Sequence, residues 1–491
     1  MKNIFKKIIA GVFVLGALAS CESNLDQTPY DSLSIDNAYT SVQDFENAVR
    51  GVYQGLISVP DDINPLNTTG MYGYIGSGSM LSAPDVLSDN VTISQNGRFT
   101  AKTLHDWDYN GNSTVSKIYD NAYTVIYRAN LMIENAVNLS DDVAEKSNLI
   151  AEAKALRALA HLNIVTYFGK IPTQSADANG SLGVAYVTIS DQFQKPARNT
   201  VGEVYDFIVA DLMDAAADVN NTNGTGRMGK DAVNILLSRV YLYMGQWQKA
   251  ADAAALVNTA IAPRATFPDI WDDTSTAGLV FSIPNTATTT NNPIGVSWSQ
   301  GTKAAITNEY VASFELVNLF AADDIRSEAY IFTGASQGVQ YNSIRKLFGK
   351  QGTSSQLSNG VVDYKILRAA EAALNLAEAQ YNLGNEGAAL TALDALRTKR
   401  YTSPPSGETG IALRDAIRLE RRLELAFEYQ RFFDLKRWGE SVERENFGDI
   451  KDGSGTPSED LVLPAGSNLF QLPFSQSAID KNPNLVQNAG Y

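Results

Sequence analysis

The sequence predicts a mainly α-helical protein in which helical hairpins form a scaffold that carries long, loop-rich insertions. Three observations predict it. Apolar residues recur at helical spacing, in blocks separated by polar loops, over most of the 491 residues. Two helix pairs repeat one spacing: Leu237, Ser238 and Tyr241 precede Gly245, Ala250 and Ala254, and Leu376, Ala377 and Gln380 precede Gly384, Ala389 and Leu393. Between the blocks lie stretches of different texture, 58–113 rich in Gly, Ser, Asp and Asn, 263–307 rich in Thr, Asn and Pro, and 334–362.

Taken in order, the periodicity predicts a helix over 45–57, then the long first loop, then helices over 115–138 and 144–168 that stop at Gly169 and Pro172. Thr200 reads as an N-cap, and Glu203 three residues on completes a capping box for a helix reaching about 219. Helices over 230–243 and 247–260 flank Gly245, and one strand-like run, 278–283, interrupts the second insertion. Helices return over 309–320, 364–383, 386–399 and 411–438, and the tail from 446 is loop. Small residues at the crossing points of the two repeated pairs let antiparallel helices approach closely, and each glycine ends the first helix. The pairs therefore resemble degenerate tetratricopeptide hairpins, set in a helical scaffold over 35–260 and 309–440.

Lys2, Lys6 and Lys7 precede the short apolar run 8–17, which is too short to span a bilayer as a helix. Leu18-Ala19-Ser20-Cys21 resembles a bacterial lipobox, so 1–20 reads as a lipoprotein signal peptide and Cys21 as the lipidated first residue of one mature body, 21–491. Cys21 is the only cysteine in the chain. A single acyl chain anchors weakly, so stable attachment calls for the several chains of a fully acylated cysteine.

Composition removes several functions. The formal charge is −15, and −18 once the three lysines of 1–20 are gone, which argues against a nucleic-acid partner. With two histidines and one cysteine, a structural zinc site, a disulfide framework and a multi-histidine metal centre are excluded.

The most specific stretch is AIRLERRLELAFEYQRFFDLKRWG over 416–439. Alone it reads as one amphipathic helix with Leu419, Leu423, Ala426 and Phe427 on a face, and with Glu428–Arg431, Arg431–Asp434 and Asp434–Arg437 pairing along its surface at i,i+3. Its acids, Glu420, Glu424 and Glu428, read as a salt-bridged scaffold rather than as catalytic carboxylates. The stretch resembles the signature of SusD/RagB-like outer-membrane lipoproteins, nutrient-binding partners of TonB-dependent transporters. Four further segments are similar to that family: ILRAAEAALNLAEA over 366–379; AEAKALRA over 151–158 leading to Tyr167-Phe168-Gly169 and Pro172; Leu472-Pro473 through Asn482-Pro483 to the terminal QNAGY; and Cys21 followed by Leu25, Asp26 and Pro29. Two departures stand out, Ala489 where proline is usual and Tyr429 where glycine is common. The resemblance implies a single SusD-like body, lipid-anchored in the outer membrane at the cell surface. It implies a non-catalytic protein, with no cofactor, that captures glycan, or peptide in some members, and caps a SusC-like transporter.

A sugar needs aromatic faces for its C–H patches and polar groups for its hydroxyls. Trp247 lies in a helical hairpin, Trp438 in the scaffold motif, and Trp271 beside the strand-like run. Trp107 and Trp298 remain, both in polar loops. The expected ligand contacts are therefore Trp107, Tyr109, Asn110 and Trp298, with Tyr74 from the same long first loop, converging on one exposed face. A surface glycoside hydrolase is the rival; it needs two carboxylates at a set separation, and among 54 acids no catalytic motif stands out. His161 reads as packed within its helix, and His105 lacks a nucleophile motif. A helical-repeat scaffold that binds only proteins is the second rival, and the aromatic-bearing loops argue against it.

Overall fold

The computed structural model describes residues 38–57, 70–72, 80–113, 117–138, 143–285, 293–347, 349 and 360–491; the expected signal peptide 1–20, Cys21 and Tyr74 lie outside the described residues. Ser41 opens α1 (Val42–Gln54) with a reciprocal cap, its hydroxyl accepting the Asp44 N–H and the Asp44 carboxylate accepting the Ser41 N–H at 2.8 Å. Next come α2 (Lys117–Asn135) and α3 (Val143–Phe168), then α4 (Val201–Asp218), which starts at the predicted Thr200–Glu203 capping box. α1 packs on α2 and α3, and α3 carries α4 on another side.

The repeated pairs form the predicted hairpins. α5 (Lys230–Tyr243) and α6 (Trp247–Ala255) turn at Gly245, φ 70°, and α7 (Ala369–Asn382) and α8 (Glu386–Arg397) turn at Gly384, φ 80°. Glycine takes that left-handed conformation without a Cβ clash. α7 also packs on α5 and α6, so two hairpins far apart in sequence meet side by side. The Asn375 amide donates to the Ser238 hydroxyl at 2.8 Å across that contact. Among the described residues no helix is long and apolar enough to cross a membrane.

The insertions and the stretches beside them hold more strand than their composition predicts. In chain order these are β1 (Val91–Ile93), β2 (Leu279–Ile283), β3 (Ser299–Thr302), β4 (Ala305–Asn308), β5 (Tyr310–Ala312), β6 (Ile331–Ser336), β7 (Val339–Ile344) and β8 (Tyr364–Arg368). An antiparallel sheet runs β1-β5-β7-β6, with Val91 opposite Ala312, Val311 opposite Ser343 and Ile331 opposite Ile344. β3 and β4 form a hairpin, and β2 pairs with β8. The stretches 309–320 and 364–383, each predicted as one helix, therefore begin as strands. Every residue of β8 is buried. Its five residues, Tyr-Lys-Ile-Leu-Arg, are too few and too mixed for periodicity to tell strand from helix.

The signature stretch is also two elements, not one: α9 (Gly410–Glu424) and α10 (Arg431–Trp438). Between them Phe427 and Tyr429 sit at φ 62° and 56°, which explains why glycine suits position 429. The buried Asp85 carboxylate fixes the break by accepting the Phe427 and Tyr429 N–H groups, each at 3.0 Å. Of the three pairs predicted along the surface only Arg437–Asp434 forms, at 2.9 Å, and it is buried. Glu428 meets Lys346 and Arg368, and Arg431 meets Asp89. The acids are scaffold, as predicted, but they tie distant elements together inside the body. Glu424 alone binds Arg400 at 2.8 Å and Arg368 at 2.8 Å, with Arg326 at 3.6 Å. Burial raises its pKa, yet these guanidinium groups hold it well below the carboxylate range.

Candidate functional site

Trp107 and Trp298 do come from loops that meet, but both rings are core. Trp298 is 0% and Trp107 6% exposed. The Trp298 ring meets Tyr310 and Phe427 at 6.4 and 5.9 Å. The Trp107 indole donates to the Leu87 carbonyl at 3.0 Å, and the Arg444 guanidinium lies 4.0 Å over its ring. Neither leaves a face for a sugar. Tyr109 is buried too, donating to the Leu469 carbonyl and stacking near Tyr491 at 6.4 Å. Asn110 is exposed, with its side-chain oxygen accepting the Asn112 N–H at 2.9 Å in a local turn. These rings pin the loops to the body, and the expected cluster of Trp107, Tyr109, Asn110 and Trp298 is not a surface.

The same loop junction exposes a different aromatic ring. Phe99 is 41% exposed and lies in a groove of about 290 Å³ with Gln95, Lys102, Asp106, Thr456 and Glu459. Its backbone is strained: Phe99, Ala101 and Trp107 have φ of 55°, 61° and 54°. Non-glycine residues are held there only where the surroundings over-determine them. Those surroundings are visible. The Glu309 carboxylate accepts the Arg98 and Thr100 N–H groups at 3.2 and 3.3 Å and the Arg98 guanidinium at 2.6 Å. Tyr310 donates to the Thr100 carbonyl at 2.7 Å, and the Asn96 amide donates to the Ile306 carbonyl at 3.0 Å. Gly97 lets the strands come this close, because a Cβ there would sit 2.3 Å from the Asn308 carbonyl oxygen.

The polar rim carries both signs. Lys102 bridges Asp106 and Glu459, the latter at 2.8 Å, and its ammonium pKa is raised by Asp106 first and Glu459 second. His105 below them is fully buried against Asp106 at 2.7 Å, and burial first, then Arg444, lowers its pKa to about 4. It is a neutral packing residue. His161 is also packed, as predicted, accepting the Val187 N–H at 3.1 Å with its pKa pushed down by burial to about 3. Among the described residues no group of three or more His, Cys, Asp or Glu is placed to hold a metal ion.

A second, larger concavity of about 480 Å³ runs along α2, where Tyr119, Tyr123 and Tyr127 stand half-buried at i,i+4,i+8. Ile189, Lys481, Asn482 and Leu485 wall it, and Phe193 on the adjoining loop is 81% exposed. Tyr123 donates to the Ala185 carbonyl at 2.7 Å, and burial raises the Tyr119 phenol to about 12. The only sequence signal for this groove was the tyrosine spacing on one helical face, which also describes a core stripe.

Two family models match the chain. One, described as "Starch-binding associating with outer membrane", matches residues 28–242, and the other, described as "SusD family", matches 325–491. SusD-like protein P2 of Formosa agariphila is 26% identical over 479 residues, covering 87% of this chain and 90% of that one. The solved structure of a SusD superfamily protein from Bacteroides thetaiotaomicron is 24% identical and superposes with a TM-score of 0.77 over 91% of this chain and 99% of its own. That of a SusD-like carbohydrate-binding protein from Bacteroides vulgatus does so at 20% identity with a TM-score of 0.76, over 91% and 98%. Signature segments, helical body and matches from both ends of the sequence agree: the chain belongs to the SusD/RagB-like family.

Proposed function

We propose that this chain binds oligosaccharide nutrients at the outer face of the outer membrane and delivers them to a SusC-like TonB-dependent transporter, which it covers as a lid. Cys21 carries the lipid anchor, and the chain performs no chemistry on its cargo. The observation that carries the glycan reading is the Phe99 groove. A strained, half-open ring offers a face to sugar C–H groups, and Gln95, Thr456 and the Lys102–Glu459 rim meet hydroxyls. The family description of starch binding and the carbohydrate-binding relative support it.

A glycan and peptide array on the purified full-length chain in mild detergent tests the cargo. Glycan hits that weaken when Phe99 is truncated support the reading; hydrolysis of a hit, abolished by substituting one carboxylate, refutes it. Oligopeptide cargo is the second reading, and the exposed Phe193 and Ile189 beside the tyrosine groove favour it. Peptide hits that survive Phe99→Ala and vanish in Phe193→Ala would select it. A transporter barrel should co-purify in mild detergent, and repeated capture without one would exclude the lid role. Cys21→Ala should leave the protein unacylated and out of the membrane fraction; unchanged fractionation would exclude the anchor.

A further inference from the structure

We infer that a second ligand site, for a carboxylate-bearing sugar, lies in the groove where the α5–α6 and α7–α8 hairpins meet α9 and α10. Of the five tryptophans, Trp107, Trp271 and Trp298 are buried, whereas Trp247 and Trp438 are half-exposed and line this one groove of about 340 Å³. No residue lines both this groove and the Phe99 groove.

The two rings have different parts. Trp438 is a fixed wall: its indole donates to Glu378 at 2.9 Å, and the Arg418 and Arg437 guanidinium groups lie 4.5 and 4.7 Å from its ring centre. Trp247, at the start of α6, has no such cover among these contacts and offers the stacking face. Three arginines line the groove against one carboxylate, Glu378. Arg437 is already matched by Glu378 and Asp434. Among the described residues, Arg414 and Arg418 are matched only by the exposed partners Asp415 and Glu440. Solvent-exposed pairs of that kind contribute little, so a ligand carboxylate can take their place. Tyr381 and Asn382 add a hydroxyl and an amide.

An arginine fork suits a planar carboxylate bidentately. An indole suits the C–H face of a sugar ring, and the Tyr381 hydroxyl and Asn382 amide suit sugar hydroxyls. A hexuronic acid presents all three on one ring, whereas a neutral hexose offers the guanidinium groups only uncharged hydroxyl acceptors. Counting their partners Glu378, Asp434, Asp415 and Glu440, the three arginines carry no net positive charge, so a uronate gains its place where Asp415 and Glu440 turn away.

The experiment is calorimetric titration of the full-length chain in mild detergent with a galacturonic acid trisaccharide, a neutral trisaccharide and a sulfated trisaccharide. The uronate should bind, weakening with added salt. Trp247→Ala and Arg414→Gln should each weaken it about tenfold with the melting temperature unchanged, while Phe99→Ala leaves it intact. Absence of uronate binding, or equal binding of the neutral sugar, overturns the site. Equal binding of the sulfated sugar overturns the carboxylate assignment. Loss in Phe99→Ala but not in Trp247→Ala places the uronate in the first groove and overturns the second.

Discussion

Replacing Phe99 by alanine and by glycine separates the ring's part in binding from the strain in its backbone. The ring is 41% exposed, so a docked sugar can cover at most that share of it. Full burial of a phenylalanine side chain contributes about 1.5–3 kcal/mol, which makes the ligand-covered share roughly 0.6–1.2 kcal/mol. Face contact adds about 0.5–1.5 kcal/mol. Either variant should therefore lose about 1–2.5 kcal/mol of affinity, or roughly 5–60-fold in Kd. The backbone distinguishes them. At φ 55° a Cβ crowds the following carbonyl, at about 1–2 kcal/mol, and only glycine removes it. Glycine loses about 0.5–1 kcal/mol of that to chain entropy, so Phe99→Gly should be more stable than Phe99→Ala by up to about 1.5 kcal/mol. Calorimetry with the best glycan from the array and urea denaturation of both variants read the two effects. Wild-type affinity in either variant means that Phe99 is not the stacking face. An alanine variant more stable than the glycine variant means that the turn carries no such strain.

Three further outcomes follow from the body of the protein. Glu424→Gln leaves Arg400, Arg368 and Arg326 without their buried carboxylate and should cost about 3–5 kcal/mol in a denaturant titration; a change below about 1 kcal/mol would mean that the network is not stabilised through Glu424. Thr200→Ala removes the hydroxyl that accepts the Glu203 N–H at 3.3 Å and should cost about 1 kcal/mol, read the same way. Acid should destabilise the chain from near neutral pH. His105 and His161 have folded pKa values lowered to about 4 and about 3, so their contribution is complete above the unfolded value of 6.5 and is lost as pH falls toward those values. Asp85, raised by burial to about 6, works the other way, favouring the fold below its unfolded value of 3.8 and losing that as pH rises through 6. Two histidines against one aspartate leave a net loss on the order of 3–5 kcal/mol across that window. A melting temperature that stays level from pH 7 to pH 4 would mean that the histidines are not buried neutral.

The parts of the fold legible in the sequence are those that local chemistry decides. Thr200 and Glu203 announced a cap because the capping box needs only four consecutive residues. Gly245 and Gly384 announced hairpins because a left-handed turn favours glycine. The misreadings share one cause, which is that the deciding partner lies far away in the chain. Glu428 looked like a neighbour of Arg431 at i,i+3, but Lys346 and Arg368 take it, and Asp89 takes Arg431. Tyr364–Arg368 looked helical because nothing local reveals that β2 lies beside it.

The tryptophans extend that argument to function. Their exposure was inferred from secondary structure, with helix taken as interior and loop as surface, and the structure inverts it at four of the five positions. A long loop crossing a body must anchor its backbone somewhere, and a large ring in a polar loop is the group that does so, as Trp107 and Trp298 do with 6% and 0% exposure. A tryptophan at a helix end has the opposite fate. Trp247 begins α6 and Trp438 ends α10, where the neighbouring chain turns away and the residue stays half-exposed. The smaller Phe99 ring escaped notice because phenylalanine in a loop carries no distinguishing pattern. Only the left-handed backbone, held by Glu309 from another strand segment more than 200 residues away, marks it out. In a scaffold of this kind the ring to test for ligand contact is therefore the one that the body holds by its backbone and not by its face, and Phe99 meets that condition where Trp107 and Trp298 do not.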